Sequence, residues 1–164
     1  IDSLSRQGRY AIDEDHTEVS SELLVRLPQL LGEKQRTFDS TGGVHAAGLF
    51  TTDGTALVVR EDVGRHNAVD KVIGWALLAG RLPLAGVVLQ VSGRLSFELV
   101  QKAYLAGVPI VSAVSAPSSL AVATGQRLGL TIAGFVRGSS MNLYAHAQRV
   151  RATSADQLVA RRPG

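Results

Sequence analysis

The stretch GVVLQVSGRLSFELVQKAYLAGVPIVSAV, residues 86–114, decides the fold class of the chain. It contains two short apolar runs, Gly86–Val91 and Pro109–Val114, which are typical of strands buried on both faces of a sheet. Between them, Ser96–Ala106 carries apolar residues at helical spacing. A strand, a helix and a second strand in this order predict a parallel βαβ unit.

The pattern continues on both sides of this unit. A helix at Ser118–Leu128 and a strand at Leu130–Val136 are predicted after it. Before it, the strand-like runs Val44–Phe50 and Thr55–Glu61 are joined by a turn at Asp53-Gly54, since these residues tolerate the positive φ of a tight hairpin. The sequence therefore predicts an α/β fold in which a β-hairpin precedes parallel βαβ units, with helices on both sheet faces. This order resembles the cytidine deaminase fold.

Two more helices are predicted before and after the hairpin. The first covers Ser20–Leu31, with Ser20 or Ser21 as its N-cap, and Pro28 is expected to kink or shorten it. The second is expected to stop near Gly80, and its apolar stripe comprises Val69, Val72, Ile73, Ala76 and Leu77.

Length and composition limit the class of protein. A chain of 164 residues that is 45% hydrophobic predicts one folded domain, which we divide into a polar start at 1–18, a deaminase-like domain at 19–150 and a weakly patterned tail at 151–164. Its apolar stretches fall short of the roughly 18 residues that span a bilayer. The net charge of +3 does not indicate a nucleic-acid-binding protein. The first residue is Ile1, so we expect a fragment of a longer protein.

The candidate site lies where the predicted strands end, because open α/β sheets bind ligands at the carboxyl ends of their strands. Arg65, Arg94 and Arg137 follow three of these strands, and a guanidinium is suited to phosphate. Helix N-termini behind the loops would add positive partial charge. The four segments after the strands are Glu61–Asn67, Ser92–Ser96, Ser115–Ser119 and Arg137–Asn142. They predict a phosphate-bearing ligand, a nucleotide or a pterin dinucleotide, and the alternative is that they are turns with surface arginines.

Single residues near these segments have competing interpretations. A hydrogen-bonded structural role is expected for His45, whereas ligand contact and helix capping are equally compatible with His66. We expect Glu61 and Asp62 to hold Arg65 or Arg94 in place. Asp70 and Lys71 are expected to form a surface or supporting ion pair.

Several classes of enzyme are excluded. The sequence contains no G-x-x-x-x-G-K-[ST], no G-x-G-x-x-G and no G-x-S-x-G motif. Zinc deaminases need a His or Cys, a Glu and two further Cys ligands. Here Asn67-Ala68 follows His66 and the sequence has no Cys, so zinc deamination and a zinc cofactor are excluded.

The sequence carries a family resemblance in its most specific block, EDVGRHNAVDK at residues 61–71. The supporting segments are TGGVHAA at 41–47, SGR at 92–94, FELVQKA at 97–103, SAPSSLA at 115–121, GFVRG at 134–138 and NLY at 142–144. Over about residues 20–150 the chain resembles the formate dehydrogenase accessory sulfurtransferases, the FdhD family.

The resemblance implies a function for the candidate site. Members accept sulfur from a cysteine desulfurase as a persulfide on a Cys-x-x-Cys loop. They pass it to the molybdenum or tungsten bis-molybdopterin guanine dinucleotide cofactor before that cofactor enters formate dehydrogenase. The family is cytoplasmic and homodimeric, and GDP is the expected mimic of its ligand. The cofactor-binding segment corresponds here to Phe135, Val136, Arg137, Gly138, Ser139 and Ser140, and further ligand contacts are predicted at Arg65, His66, Ser92, Gly93, Arg94 and Ser115.

One departure from the family decides what this sequence can do. The Cys-x-x-Cys loop is expected just before the stretch that opens at Ile1, and the 164 residues contain no Cys. A persulfide requires a thiolate, so no catalytic residue is predicted and the fragment alone is expected to be inactive. The alternatives are a chaperone module that binds the cofactor without sulfur transfer, and a phosphate-ligand enzyme on the same scaffold that would use His66 with Asp62.

Overall fold

The computed structural model describes residues 1–35 and 43–152, together with the backbone of 158–160. Thr41 and Gly42 of the family motif, and most of the tail expected at 151–164, lie outside the described residues. The described helices are α1 (Asp2–Gln7), α2 (Ser21–Lys34), α3 (Arg65–Leu78), α4 (Phe97–Leu105) and α5 (Ser119–Leu128), with 3₁₀ turns at Ile12–Glu14 and Ala147–Arg149. The strands are β1 (Val19–Ser20), β2 (His45–Phe50), β3 (Ala56–Asp62), β4 (Val88–Val91), β5 (Ile110–Ala113), β6 (Thr131–Arg137), β7 (Ser140–Ala145), β8 (Val150–Arg151) and β9 (Leu158–Ala160).

A mixed sheet of seven strands forms the centre of the fold, in the order β3-β2-β4-β5-β6-β7-β9. β4, β5 and β6 are parallel, β2 is antiparallel to both β3 and β4, and β7 is antiparallel to β6. β9 pairs in parallel with β7, and β1 and β8 form a separate parallel pair. The predicted α/β class, with a hairpin before parallel units, is therefore confirmed.

Helices cover both faces of the sheet, as the sequence predicted. Side chains alternate along each strand, so Ala47 and Leu49 of β2 enter one core while Ala46 and Phe50 enter the other. The first core is closed by the apolar faces of α3, α4 and α5. The second core is closed by α2, which buries four leucines, Leu23, Leu24, Leu27 and Leu31.

The local signals for caps and turns are confirmed. Ser20 caps α2, where its hydroxyl accepts a hydrogen bond from the Leu23 N–H at 3.1 Å. Gly54 has φ of 89° in the β2–β3 turn, and Gly80 has φ of 69° just after α3. These glycines sit where a left-handed conformation is required.

Three expectations are wrong. Of the two effects expected of Pro28, a kink or a shortened helix, the shortening is wrong, since α2 continues to Lys34. Leu77 is 64% exposed, because it lies beyond the stripe of α3 that faces the sheet. The helix N-terminus expected behind Arg137 is replaced by a tight turn at Gly138, which leads directly into β7, and β7 makes an antiparallel hairpin with β6.

Residues 1–18, polar in composition, are attached to the core at two buried apolar positions. Leu4 and Ile12 are each 3% exposed. The buried guanidinium of Arg149 then fixes this segment to the sheet: Nη2 donates to the Ile12 carbonyl at 2.7 Å and Nε to the Asp15 carbonyl at 2.9 Å. Burial lowers the pKa of Arg149.

The opposite side of this guanidinium holds the amino ends of two strands. Arg149 Nη1 donates to the carbonyls of Gly129 at 2.6 Å and Pro109 at 3.4 Å, and to the Thr131 hydroxyl at 3.1 Å. One side chain thus connects the starts of β5 and β6 to the N-terminal segment.

Among the described residues, no helix has the length and apolar character needed to cross a membrane. The same part of the chain brings together no group of three or more His, Cys, Asp or Glu side chains that could hold a metal ion.

Candidate functional site at the carboxyl edge of the sheet

One edge of the sheet collects all of the predicted site segments. β3, β4, β5 and β6 run in the same direction, so their carboxyl ends meet there. β2 runs in the opposite direction and begins at this edge, with His45 opposite Asp62. Two clefts lie along the edge, on either face of the sheet.

The first, which we name the arginine cleft, has a volume of about 290 Å³. It is lined by Arg65, Arg94, Leu95, Ser96, Ala116, Pro117 and Ser118. Its walls are held by backbone hydrogen bonds between the loops after β4 and β5: the Leu95 N–H donates to the Ala116 carbonyl at 3.1 Å, and the Ser118 N–H to the Leu95 carbonyl at 2.9 Å. The structure therefore brings together Arg65 and Arg94, which the sequence predicted separately.

The arginine cleft is rich in donors. Ser96 and Ser118 are the N-caps of α4 and α5, so the free N–H groups of two first turns lie at the cleft. Arg65 begins α3, and its Nε is buried without a hydrogen-bond partner among the described residues. The described lining includes no carboxylate. Such a surface favours an anion.

His66 lies beside this cleft and contacts Ser96. Its Nε2 is 3.3 Å from the Ser96 hydroxyl and 3.9 Å from Oε2 of Glu98. Capping by His66 is not observed in this part of the chain, because the N-cap of α3 is Gly64 and no side chain bonds there. Hydrogen bonds from the backbone N–H of Glu98 and from the Ser96 hydroxyl lower the pKa of Glu98, and the charges of His66 and Arg65 add to this effect.

The second cleft, which we name the α2-face cleft, has a volume of about 470 Å³. It is lined by Pro28, Leu31, Gln35, Gly43, Val44, His45, Ser92 and Val114. The Ser92 hydroxyl accepts a hydrogen bond from the Ala46 N–H at 2.9 Å, which joins the end of β4 to the start of β2. The hydrogen bond expected for the His45 ring is not found among the described residues, and the ring lines the cleft instead.

The predicted segment from Phe135 to Ser140 forms the β6–β7 hairpin next to these clefts. The Phe135 N–H donates to the Ser115 carbonyl at 3.1 Å, so the hairpin is attached to the loop after β5. The Arg137 guanidinium lies over the Phe135 ring, 5.6 Å from its centroid. Val136 is buried in the second core, which α2 closes, whereas residues 137–140 are exposed. The helix dipole expected behind Arg137 is absent, since β7 follows this turn.

Asp62 plays a different role from the one expected for it. Asp62 holds neither Arg65 nor Arg94: its Oδ2 accepts the Gly64 N–H at 2.8 Å, and its Oδ1 pairs with Lys71 at 2.9 Å. These two contacts lower the pKa of Asp62 to about 2. Asp62 thereby fixes the turn that presents Arg65.

The expected Asp70–Lys71 ion pair is also wrong. Asp70 instead pairs with Lys102 of α4 at 2.6 Å, which ties α3 to α4. Lys71 additionally donates to the Glu61 carbonyl at 2.8 Å.

Three polar residues at this edge were missed by the sequence reasoning. Gln90 and Ser112 are fully buried, and Gln35 lines the α2-face cleft. Gln90 Oε1, Ser112 Oγ and Gln35 Nε2 are buried without a hydrogen-bond partner among the described residues. The available signal was one polar residue in each of two apolar strands, VLQV and IVSA.

Comparison with known proteins identifies the family. The model of the FdhD/NarQ family matches residues 2–151. The sulfur carrier protein FdhD of Nocardia farcinica is 55% identical over 155 residues, which cover 94% of this chain and 56% of the relative. The protein of the same name from Streptomyces coelicolor is 56% identical over 156 residues, 94% of this chain and 55% of the relative. The chain thus spans about half the length of these curated relatives.

A solved structure agrees with this assignment. A formate dehydrogenase accessory protein from Desulfotalea psychrophila superposes with a TM-score of 0.75 at 31% identity, covering 82% of this chain and 60% of that one. With the family model matching nearly the whole described sequence, the chain belongs to the FdhD/NarQ family.

Proposed function

We propose that the chain is the cofactor-binding part of a sulfur carrier protein. In this proposal it holds the guanine dinucleotide ends of the molybdenum or tungsten bis-molybdopterin guanine dinucleotide cofactor, the substrate that is sulfurated before insertion into formate dehydrogenase. The observation that carries the proposal is the arginine cleft, where Arg65 and Arg94 converge at the N-termini of two helices. The names of the relatives support the sulfur-carrier role.

The unpartnered Nε of Arg65 supports a phosphate ligand in particular. A buried donor without a partner costs about 1–3 kcal/mol, and a bound phosphate oxygen would supply the missing acceptor. Arg94 and the first-turn N–H groups of α4 and α5 would bind the remaining oxygens. Arg137, on the neighbouring hairpin, is exposed and available to a second phosphate or to the base.

We further propose that the fold is deaminase-like. The five strands β3-β2-β4-β5-β6 support this, because an antiparallel hairpin is followed by parallel strands with helical crossovers. The ligand edge would then be retained while the zinc ligands are lost, since the sequence contains no Cys.

The chemistry of sulfur transfer determines which residues carry the sulfur and which orient the cofactor. A persulfide forms on a cysteine thiolate, and none of the 164 residues is a cysteine. In the proposal, residues outside this sequence carry the sulfur that a cysteine desulfurase supplies, and the residues of the two clefts orient the cofactor. The assembly is proposed to be a cytoplasmic homodimer.

The lack of cysteine also favours the second candidate, a cofactor-binding chaperone without sulfur transfer. The two functions differ in the longer relatives. Incubation of the Streptomyces coelicolor protein with a cysteine desulfurase and cysteine, followed by intact mass spectrometry, shows an added sulfur atom for a carrier and no change for a chaperone.

The proposed ligand is tested by calorimetric titration of GDP, with ADP as the control nucleotide. We expect GDP to bind preferentially and Arg137→Ala to weaken its binding. The Arg81→Ala variant is a matched control, because Arg81 lies over the Trp75 ring just after α3 and away from the clefts. Absence of GDP binding by a folded sample would contradict the proposal.

A further inference from the structure

A further cleft lies at the amino edge of the sheet, where β4 and β5 begin, and we name it the amino-edge cleft. It has a volume of about 360 Å³, within the range of about 300–1,000 Å³ that is typical of small-molecule sites. Strands β4 and β5, each four residues and about 13 Å long, separate it from the loops of the carboxyl edge. Its lining comprises Arg9, Tyr10, Ala11, Ile12, Glu14, Asp15, Pro83, Ala85 and Gly107.

The floor of the amino-edge cleft is tightly packed. Gly107 has φ of 81°, and a Cβ at this position would stand 2.7 Å from Cβ of Pro83 and 3.2 Å from Cδ2 of the Tyr10 ring. Ile12 is 3% exposed, and its carbonyl accepts a hydrogen bond from Arg149 Nη2 at 2.7 Å. The cleft is therefore preformed, because both of its walls are attached to the core.

Three charged side chains line the cleft, and one of them is already occupied. Asp15 Oδ1 accepts a hydrogen bond from the Thr17 N–H at 2.8 Å, and Asp15 Oδ2 accepts one from the Gly86 N–H at 3.4 Å. The side chains of Arg9 and Glu14 make no hydrogen bond or ion pair with any described residue, each other included. A guanidinium and a carboxylate thus border the same cleft without neutralising each other.

Most of the remaining wall is apolar. Tyr10 is half-buried with its ring against Gly107, and its hydroxyl has no hydrogen-bond partner among the described residues. Ala11 and Ala85 add only methyl groups to the wall. Such a wall suits an apolar or aromatic side chain of a ligand, because stacked and edge-to-face contacts with a tyrosine ring are favourable.

The two unpaired charges discriminate between classes of ligand. An anion would be attracted by Arg9 and repelled by Glu14, whereas a cation would be attracted by Glu14 and repelled by Arg9. An uncharged molecule would leave both charges without a partner. A small zwitterion offers a carboxylate to the guanidinium and an ammonium group to the carboxylate, so it matches both.

We propose that the amino-edge cleft binds a free α-amino acid with an apolar or aromatic side chain. The carboxylate of the ligand contacts Arg9, its ammonium group contacts Glu14, and its side chain lies against the Tyr10 ring. This site is independent of the proposed function, because its described lining shares no residue with the arginine cleft or the α2-face cleft.

The test is a calorimetric titration of three probes into the wild-type chain at about pH 6, where an α-amino group is protonated. L-phenylalanine carries both charges, L-phenylalaninamide carries only the ammonium group, and N-acetyl-L-phenylalanine carries only the carboxylate. We expect L-phenylalanine to bind, and each of the other probes to bind at least about fivefold more weakly because it lacks one ion pair.

Two substitutions assign each charge of the ligand to its partner. In Arg9→Gln the preference for L-phenylalanine over L-phenylalaninamide is expected to disappear, while the preference over N-acetyl-L-phenylalanine remains. Glu14→Gln is expected to show the reverse pattern. Arg6→Gln is the matched control, because Arg6 is an exposed arginine of α1 outside the cleft, and it is expected to bind the probes like the wild type.

A third substitution fills the cleft without removing a charge. Ala85 is exposed and lines the cleft, so Ala85→Trp is expected to abolish measurable binding of L-phenylalanine while thermal unfolding shows a folded chain. Ala79→Trp is its matched control, since Ala79 is exposed at the end of α3 and lies outside the cleft.

The outcomes separate this inference from the proposed function. Failure of the folded wild-type chain to bind L-phenylalanine would overturn the amino-acid site. Equal binding of the three probes, preferences that both glutamine variants leave unchanged, or binding that Ala85→Trp does not weaken would overturn it as well. GDP titrated into the same samples tests the proposed function alone: binding of L-phenylalanine without binding of GDP would contradict the proposed function and leave the amino-edge site standing.

Discussion

Both edges of the sheet contain buried guanidinium nitrogens, and the two edges differ in whether these nitrogens have hydrogen-bond partners. At the amino edge, all three nitrogens of Arg149 donate to the chain's own oxygens. At the carboxyl edge, Arg65 Nε is buried without a described partner. An arginine satisfied by backbone carbonyls is committed to the fold. An arginine left unsatisfied in a cleft is available to a ligand.

The same contrast holds among the serines and carboxylates of the carboxyl edge. Ser118 caps α5, whereas Ser96 makes no described capping bond and contacts His66. Asp62 is occupied by the turn and by Lys71. Residue type alone therefore does not separate structural from ligand-binding groups at this edge. The two kinds of group are distinguished by whether their polar atoms already have hydrogen-bond partners among the described residues.

The largest expected effect is a loss of stability on replacing Arg149, which we compare with a loss of ligand binding on replacing Arg65. Arg149→Met removes the guanidinium hydrogen bonds to the carbonyls of Ile12, Asp15 and Gly129, while the Ile12 carbonyl keeps a bond from the Asp15 N–H. Hydrogen bonds to a charged group contribute about 1.5–3 kcal/mol each, so we expect the free energy of unfolding to fall by at least about 3 kcal/mol. Arg65→Met removes no described hydrogen bond of its Nε and is expected to change stability by less than about 0.5 kcal/mol while GDP binding weakens at least about tenfold. Urea denaturation and calorimetry measure the two quantities.

Arg149→Lys serves as the conservative control. A lysine ammonium can reach some of the carbonyls but lacks the planar fork, so an intermediate loss of stability is expected. Equal destabilisation by Arg149→Met and Arg65→Met would refute the division into structural and ligand-binding arginines.

A smaller effect is expected for the two N-cap serines. Ser118→Ala removes the hydrogen bond to the Ala121 N–H and is expected to cost about 1 kcal/mol of stability. Ser96→Ala is expected to cost less than half of that, since its hydroxyl makes no described capping bond. Ser20→Ala in α2, away from the arginine cleft, should match Ser118→Ala in thermal denaturation. A larger loss for Ser96→Ala than for Ser118→Ala contradicts this assignment.

The smallest effect concerns pH and Asp62. Its pKa falls from an ordinary 3.8 to about 2 because the Gly64 N–H and Lys71 stabilise the carboxylate. The folded state therefore takes up this proton less readily than the unfolded state, and the resulting stability is present above about pH 4 and is lost as the pH falls toward 2.

Thermal unfolding between pH 2 and 6 measures this contribution. Asp62→Asn is expected to lower the melting temperature more at pH 6 than at pH 2.5. Asp53, whose pKa is also lowered to about 2 by hydrogen bonds from Thr51 and Thr55, lies at the opposite end of β3 and accounts for acid dependence that remains in the variant. A melting-temperature difference that does not vary with pH would contradict the role of Asp62.

The strands and helices with a full apolar pattern were predicted from the sequence, whereas short segments with only a few apolar residues were not. Gly86–Val91 and Pro109–Val114 were found because short uninterrupted apolar runs on either side of a helical pattern are typical of strands buried on both faces of a sheet. β7 was missed, although Met141, Leu143 and Ala145 alternate with more exposed residues, because six residues after Gly138-Ser139 look like a loop. Leu4 and Ile12 were missed because single apolar residues in a polar segment carry no period.

The site was predictable to the extent that strand ends determine it. Arg65 and Arg94 follow strands in the sequence, and the parallel topology brings them together. The partners of the carboxylates were not predictable from the sequence. Asp62 pairs with Lys71 of α3, and Asp70 pairs with Lys102 of α4. The buried Gln90 and Ser112 became visible as a pair only when the register of β4 and β5 was known.

The bonds of Arg149 have a consequence for motion. Because one side chain connects Ile12, Asp15, Pro109 and Gly129, no one of these segments can open without disturbing a shared set of bonds. The amino edge should therefore unfold locally as one cooperative unit, and the amides of residues 12–15 should exchange hydrogen as slowly as those of the neighbouring strands rather than as a fraying terminus. Conformational change on ligand binding would then be confined to the loops of the carboxyl edge, while the amino edge keeps its structure.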